Sequence, residues 1–180
     1  MSTYVVLLRG VNVGGNKRIK MFDLRSALTT AGIEDPRTLL QSGNVVVESN
    51  AGAAALVDIV ETTIESTFGF QSTVIMRTAD EIRGLLADHP FTAEHIEDGR
   101  FAHVGFCRDE PDRDGFEALQ EAHEGSEELK LVGRELFVYY PDGSGRSKLT
   151  NSVIEKHLGT PTTSRNWNTV DKIGSMLDDR

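Results

Sequence analysis

The sequence predicts an α+β protein in which a ferredoxin-like (split β-α-β) subdomain at residues 1–77 precedes a smaller α/β subdomain with antiparallel strands at residues 78–180. Two observations predict this class. Within the first 76 residues, apolar strand-like runs and segments of helical period follow the order β-α-β-β-α-β. The 180 residues, of which 38% are hydrophobic and 26% charged, are enough for two small subdomains that bury a core.

Each element of the first subdomain has a local signal. Tyr4–Leu8 is an apolar run typical of a buried strand, and Gly32 ends the helical spacing that begins at Met21. The run Gln41–Asn44 has the residue types of a turn with positive φ, so we expect the strands on either side of it to form a hairpin. The predicted elements are a strand at 4–8, a helix at 21–31, strands at 37–40 and 45–47, a helix at 50–68 and a strand at 72–76.

The second subdomain repeats these signals less regularly and ends in two helices. Thr78 and Glu81 form a capping box at the start of its first helix. Gly133 and Arg134 mark the turn of a hairpin, and Gly159 closes a short helix. The predicted elements are a helix from 78 to about 88, a strand at 101–107, a helix at 112–123, hairpin strands at 128–132 and 135–140, and helices at 151–158 and 166–177.

The charge distribution limits the classes of ligand. The formal net charge is −9, yet residues 1–20 carry four cations and no acid, and residues 130–180 carry eight cations against six acids. The middle of the chain, residues 77–129, carries fifteen acids, which repel polyanions and keep the protein in solution. If the two basic ends meet, their cationic site suits a small anion better than a nucleic acid, which needs many phosphate contacts.

The segment Arg9–Lys20, the basic loop, is the strongest candidate for function. It joins a strand to a helix and contains Gly14 and Gly15, whose backbone N–H groups can approach a ligand closely. Its spacing fits neither a phosphate-binding P-loop nor a dinucleotide fingerprint. Three of its cations stand before a helix start, where they oppose the helix dipole unless an anion offsets them. The competing interpretation is a surface loop that needs glycine only for its turn.

Two further polar segments, Gly145–Asn151 and Thr162–Thr169, precede predicted helices in the second subdomain. Helix capping explains part of their composition but leaves the cations Arg146 and Lys148 unexplained. Trp167 lies on the same face of the predicted final helix as Val170 and Ile173, so we expect it to pack into the core. The expected helix caps are Thr150 or Asn151 and Ser164 or Asn166.

Other chemistry-bearing residues form no recognisable site. The only cysteine, Cys107, ends a strand and is expected to be a buried thiol. A single cysteine, together with the lack of a signal-peptide pattern and of a membrane-spanning run, predicts a cytoplasmic protein. The five histidines are scattered without an HExxH or CxxC motif, so we expect no metal site. No nucleophile, base and orienting group can be assigned, which leaves catalytic residues, cofactors and oligomeric state open.

Four motifs closely resemble those of the bacterial family called domain of unknown function 1697, or DUF1697: Leu7–Gly15, Leu40–Val45, Lys148–Asn151 and Ser164–Thr169. The resemblance covers nearly the whole chain. It implies two small α/β subdomains, the first of them ferredoxin-like, in a cytoplasmic bacterial protein. The family has no established activity, so the resemblance implies a fold without a function.

The leading hypothesis is a module that binds a small anion, either a nucleotide or a phosphorylated metabolite. Cations would pair with the anion, glycine N–H groups would approach it, and side-chain amides would orient the rest. The alternatives are an enzyme that acts on such a ligand and, less favoured, a nucleic-acid-binding module, because the first and third strands offer only Tyr4 for stacking. The expected ligand-binding residues are Arg9, Asn12, Gly14, Gly15, Lys17, Gln41, Asn44, Arg146, Lys148, Arg165 and Asn168.

Overall fold

Two four-stranded antiparallel sheets and seven α-helices make up the part of the chain that the computed structural model describes, residues 1–178. The chain divides into two compact units. Unit 1 comprises residues 1–87 and the chain from Ile173 onward, and unit 2 comprises residues 88–172. The predicted α+β class, with antiparallel strands in both halves of the chain, is confirmed.

Unit 1 is built around a central strand, β1 (Ser2–Leu8). It pairs antiparallel with β3 (Asn44–Ser49) along one edge and with β4 (Val74–Thr78) along the other. β2 (Glu34–Leu39) completes the sheet, whose order is β2-β3-β1-β4. This order places the first and third strands at the centre, as a split β-α-β arrangement does. The helices of the unit are α1 (Met21–Thr30), α2 (Ala53–Phe68) and α3 (Ala79–Ala87).

The core of unit 1 forms because β1 is apolar on both of its faces. Tyr4, Val6 and Leu8 belong to the same buried cluster as the inner faces of α1 and α2. Val5 and Leu7, which alternate with them along the strand, are also fully buried. Burying each of these large side chains stabilises the fold by about 1.5–3 kcal/mol, so the sheet is anchored through its central strand.

Two predicted helix boundaries in unit 1 are confirmed. α2 ends at Gly69, which adopts the left-handed conformation with φ 76°. Before α3, Thr78 N donates to Glu81 Oε2 at 2.7 Å, and Glu81 N donates to Thr78 Oγ1 at 3.1 Å. These reciprocal bonds are the capping box that the sequence predicts, and they satisfy two backbone donors at the helix start.

The last turns of the final helix, α7 (Trp167–Asp178), belong to unit 1, although the helix begins in unit 2. Arg37 Nη2, on β2, donates to Met176 O at 2.7 Å. Arg83 Nη2, on α3, donates to Leu177 O at 3.1 Å. Cationic donors at the end of a helix satisfy its last carbonyls and complement its dipole. The two arginines therefore attach the end of the helix to unit 1.

Unit 2 is built around the central strand β5 (Ala102–Cys107). It pairs with β7 (Glu135–Tyr139) and with β8 (Thr162–Asn166), and β6 (Glu128–Val132) pairs with β7. The sheet order is β6-β7-β5-β8. Cys107 lies in the apolar core of the unit, which confirms that its thiol is buried. The helices that lie wholly in the unit are α4 (Ala93–Glu97), α5 (Arg113–Ala122) and α6 (Asn151–Leu158).

The structure corrects two element predictions in unit 2. The segment Thr162–Thr169, which the sequence predicts as a polar loop, contains β8. Thr162 and Arg165 are buried in this strand, and their polar types gave no apolar pattern from which a strand could be predicted. The threonines in it are β-branched and suited to a pleated surface. α4 was not predicted, because its capping box places His95 where Glu or Gln usually stands opposite Thr92.

The expected caps and the core position of Trp167 are confirmed. Thr150 Oγ1 accepts from Val153 N at 3.4 Å at the start of α6. Asn166 Oδ1 accepts from Thr169 N at 3.0 Å at the start of α7. Trp167 is buried, with its ring centre 4.5 Å from that of His89.

The turn before β3 provides a test of close packing in unit 1. A Cβ at Gly43, where φ is 77°, would lie 2.7 Å from Val11 Cγ2 and 2.8 Å from Leu8 Cβ. We expect Gly43→Ala to lower the free energy of unfolding by about 2–5 kcal/mol, through left-handed strain and overpacking together. Equilibrium urea unfolding measures this loss.

Gly14→Ala is the matched control. Its φ is 63°, but no described atom lies within 4 Å of its Cβ position, so only the strain of about 1–2 kcal/mol applies. Equal losses in the two variants would contradict the close packing at Gly43.

Candidate functional site

The basic loop connects β1 to α1 along an irregular path of left-handed residues. φ is 71° at Gly10, 56° at Asn12, 63° at Gly14, 81° at Gly15 and 50° at Lys17. Residues other than glycine rarely adopt this conformation, so it persists at Asn12 and Lys17 because surrounding bonds impose it. One of these bonds closes the loop on itself, since Asn12 N donates to Lys17 O at 3.1 Å.

The side chain of Asn12 holds the loop together. Its Oδ1 accepts from Ile19 N at 2.9 Å, and its Nδ2 donates to Ile19 O at 2.9 Å. The same Nδ2 donates to Gln41 O at 2.7 Å, which joins the loop to the turn before β3. An asparagine amide has two N–H donors, and both are used inside unit 1. Asn12 therefore contributes to a site by fixing the shape of the loop.

The turn Gln41–Asn44 lies beside the basic loop and divides into a buried and an exposed part. Asn44 is buried, and its Nδ2 donates to Leu39 O at 2.8 Å and to Ser42 Oγ at 3.0 Å. Gln41 is exposed and lines the same cavity as the loop. Of the two predicted amides, Asn44 thus shapes the turn and Gln41 faces solvent.

Two of the predicted cations are attached to the segment before β4. Lys17 Nζ donates to Gln71 O at 2.8 Å. Arg9 is half-buried, and its backbone carbonyl accepts from Ser72 Oγ at 3.1 Å. These bonds secure the loop near both of its ends. The bond at Lys17 is made by its side chain and explains the residue type, whereas the bond at Arg9 is made by its backbone.

Arg18 and Lys20 border an open cavity of about 510 Å³ beside the loop. Arg18 Nε donates to Gly15 O at 3.2 Å, which sets the guanidinium against the loop backbone. Lys20 is the N-cap residue of α1, a position at which Ser, Thr, Asp or Asn is preferred. Its side chain makes no capping bond within the described chain. Asp23, in the first turn of α1, lines the same cavity and offsets part of its positive charge.

Two of the four predicted site residues in unit 2 share a cavity. Arg146 and Lys148 are exposed and line a space of about 530 Å³. Arg165 is buried in β8, where its Nη1 donates to Thr163 Oγ1 at 2.8 Å and burial lowers its pKa to about 10. Asn168 is exposed on α7 and lies outside the lining of that cavity.

The cavity with Arg146 and Lys148 also contains a polar cluster that sequence analysis missed. Glu127 Oε1 accepts a short hydrogen bond from Ser147 Oγ, and His123 Nε2 lies 3.0 Å from Glu127 Oε2. The side chains of His123 and Glu127 are only 13% and 11% exposed. The residues belong to no motif, and Ser147 is 20 positions from Glu127. The clue in the sequence was the unexplained polarity before α6.

Hydrogen bonding sets the ionisation of Glu127, and burial sets that of Tyr140, whose pKa responds to the charge of Glu127. The bond from Ser147 outweighs the opposing effect of burial and lowers the pKa of Glu127 below its ordinary value of 4.5. Burial, with a smaller contribution from the charge of Glu127, raises the pKa of Tyr140 to about 12. Glu127 is therefore an anion, and Tyr140 a neutral phenol, at neutral pH.

Residues 1–178 contain no group of three or more His, Cys, Asp and Glu side chains placed to hold a metal ion. In the same part of the chain, no helix has the length and apolar composition needed to cross a membrane.

The fold defines a class of α+β protein with two four-stranded antiparallel sheets, each with two interior strands. Within that class, the chain belongs to the DUF1697 family of proteins of unknown function, whose model matches residues 1–137. The solved structure of the conserved bacterial protein SP0830 from Streptococcus pneumoniae is similar over 98% of each chain, with 28% sequence identity and a TM-score of 0.74. No curated protein matches the chain. The predicted family is confirmed, and these comparisons attach no activity to it.

The role of Asn12 is tested by Asn12→Gly, which keeps the left-handed backbone accessible and removes the three side-chain bonds. We expect the free energy of unfolding to fall by about 2–4 kcal/mol, because each bond contributes about 0.5–1.5 kcal/mol and the partners lose their pairing. Urea unfolding measures the change. Asn16→Ala, at an exposed position of the same loop, should change it by less than about 0.5 kcal/mol. Equal effects would refute the role assigned to Asn12.

The lowered pKa of Glu127 predicts a difference in acid stability. Its folded-state pKa lies below the unfolded value, so the carboxylate stabilises the fold at neutral pH, and this contribution disappears as pH falls through the folded pKa. Between about pH 6 and pH 3, wild type should therefore lose thermal stability more steeply than Glu127→Gln, which cannot titrate. Glu121→Gln, exposed on α5, should keep the wild-type slope. An unchanged slope in Glu127→Gln would contradict the assignment.

Proposed function

We propose that this protein binds a small anion, a nucleotide or a phosphorylated metabolite, at the basic loop of unit 1. One observation carries the proposal: Arg18 and Lys20 border a single cavity directly before the start of α1. A helix start has partial positive charge, and a cation at the N-cap adds to it. A bound anion would offset both, as anions at helix N-termini commonly do.

The charges around the cavity support this choice of ligand. Asp23 is the acid among the lining residues, so the two cations leave a net positive charge. Arg18 uses Nε for its bond to Gly15 O, and its Nη groups have the geometry that pairs with phosphate or carboxylate oxygens. Gly14 and Gly15 have no side chains to keep a ligand from the backbone, and Gln41 offers an exposed amide beside them.

Five of the remaining predicted residues have separate places in the proposal, whereas Arg9, Arg165 and Asn168 take no part in it. Asn12, Lys17 and Asn44 would shape the site through bonds inside unit 1. Arg146 and Lys148 would form a second pair of cations within unit 2.

Nucleic acid is the less favoured ligand. RNA-binding versions of a split β-α-β sheet stack bases on exposed aromatic residues of the central strands. Tyr4, the aromatic residue of β1, is only 8% exposed and belongs to the core. β3 contains no aromatic residue. A small anion at a loop requires no such platform.

Calorimetric titration with phosphate, sulfate and nucleoside monophosphates tests the proposal. Arg18→Ala/Lys20→Ala should weaken binding at least about tenfold, because a hydrogen bond to a charged group contributes about 1.5–3 kcal/mol. Lys156→Ala, which removes an exposed cation from α6, should bind like wild type. Circular dichroism establishes that each variant is folded. Absence of binding at millimolar anion, or equal binding by all three proteins, would refute the proposal.

A further inference from the structure

The cavity of unit 2 has walls of both charges and an apolar side. Four segments enclose it: the last turns of α5, the turn between α5 and β6, the loop between β7 and α6, and α6 itself. Its volume of about 530 Å³ lies within the range of small-molecule sites. Leu119, Leu149 and Val153 line its apolar side, where Leu119 and Leu149 belong to the core and Val153, which is 36% exposed, offers the accessible surface. This combination differs from that at the basic loop, where cations predominate.

Glu127 supplies the mostly buried carboxylate on the negative side of the cavity, which Glu124 and Asp142 also line. The hydrogen bond from Ser147 lowers the pKa of this carboxylate, so it is ionised at neutral pH. A carboxylate with a lowered pKa is a poor general base for the Ser147 hydroxyl near neutrality. The chain Ser147–Glu127–His123 therefore favours binding of a cationic group over nucleophilic catalysis.

Space beside Glu127 depends on Gly125. A Cβ at this position would collide with Glu127 Oε2 and would lie 2.7 Å from His123 Cε1. A side chain at residue 125 would thus displace the Glu127 carboxylate or the His123 ring from the positions that they occupy.

Arg146 and Lys148 supply the positive side. Both are exposed, and within residues 1–178 neither forms an ion pair or a side-chain hydrogen bond. They flank Ser147, whose hydroxyl is bonded to Glu127. The two cations and the carboxylate therefore line one cavity, and the described chain forms no direct ion pair between them.

We propose that this cavity binds a small zwitterion, an amino acid or short peptide with an apolar side chain. The ammonium group lies toward Glu127, the carboxylate pairs with Arg146 and Lys148, and the side chain packs on Val153, the exposed residue of the apolar side. A ligand of this kind satisfies both charges and the apolar wall at once, which a simple anion does not. The proposal does not depend on anion binding at the basic loop.

Calorimetry and two-dimensional NMR on the full chain test it, with apolar amino acids and dipeptides as probes. Each probe is compared with its deaminated acid, which lacks the ammonium group, and with its amide, which lacks the carboxylate. Wild type should bind the zwitterion at least tenfold more tightly than either analogue. The NMR shifts should concentrate in residues 122–127 and 142–149.

Two variants separate the charges. Glu127→Gln keeps the shape of the side chain and an acceptor for Ser147, and it should abolish the preference for the zwitterion over the deaminated acid. Arg146→Ala/Lys148→Ala should abolish the preference over the amide. Glu121→Gln and Arg18→Ala/Lys20→Ala should bind as wild type, which distinguishes this site from the basic loop. Absence of binding at millimolar probe, shifts outside the cavity, or preferences that survive both variants would overturn the proposal.

Discussion

Both units depend on a central strand that is hydrogen-bonded along both edges. β1 lies between β3 and β4, and β5 lies between β7 and β8. Backbone groups of such a strand have partners along its length, and the chain must find new ones as soon as the ladder ends. After β1 this happens in the basic loop, where left-handed residues and the amide of Asn12 replace the pairing of the sheet. The polarity of the loop is therefore first a requirement of the fold.

This requirement separates two groups of residues that look alike in the sequence. Asn12, Lys17 and Asn44 are polar, and their side chains bond to backbone groups inside unit 1. Arg18 and Lys20 are also polar, but they stand at the edge of a cavity and beside an uncapped helix start. In unit 2 the same division holds between Arg165, buried in a strand, and the exposed cations around Ser147. Polar motifs in this protein thus combine structural residues with those available to a ligand.

Local patterns were sufficient to predict most elements, because the apolar faces of α1 and α2 repeat at the helical period and β1 is a short continuous apolar run. β8 was not predicted because its buried residues include threonine and arginine in place of apolar types. Its pairing with β5 could not be predicted from the local sequence. The loops of the candidate sites could be located, since glycine and unexplained cations mark them in sequence. The contact between Glu127 and Ser147 could not, because it joins two loops whose approach depends on the whole of unit 2. Likewise, the polar type of Asn12 marked it as a residue of interest, but its bonds to Ile19 and Gln41 could not be predicted from the sequence.

The attachment of the final helix by Arg37 and Arg83 has a consequence for the order of folding during synthesis. The sheet of unit 1 is complete once the chain has reached Thr78, but Leu177 O is supplied 94 residues after Arg83. All of unit 2 therefore leaves the ribosome before unit 1 can gain its last bonds. Because the entropic cost of closing a loop rises with its length, these bonds close at a greater cost than any turn within the sheet, and the sheet is expected to form before them.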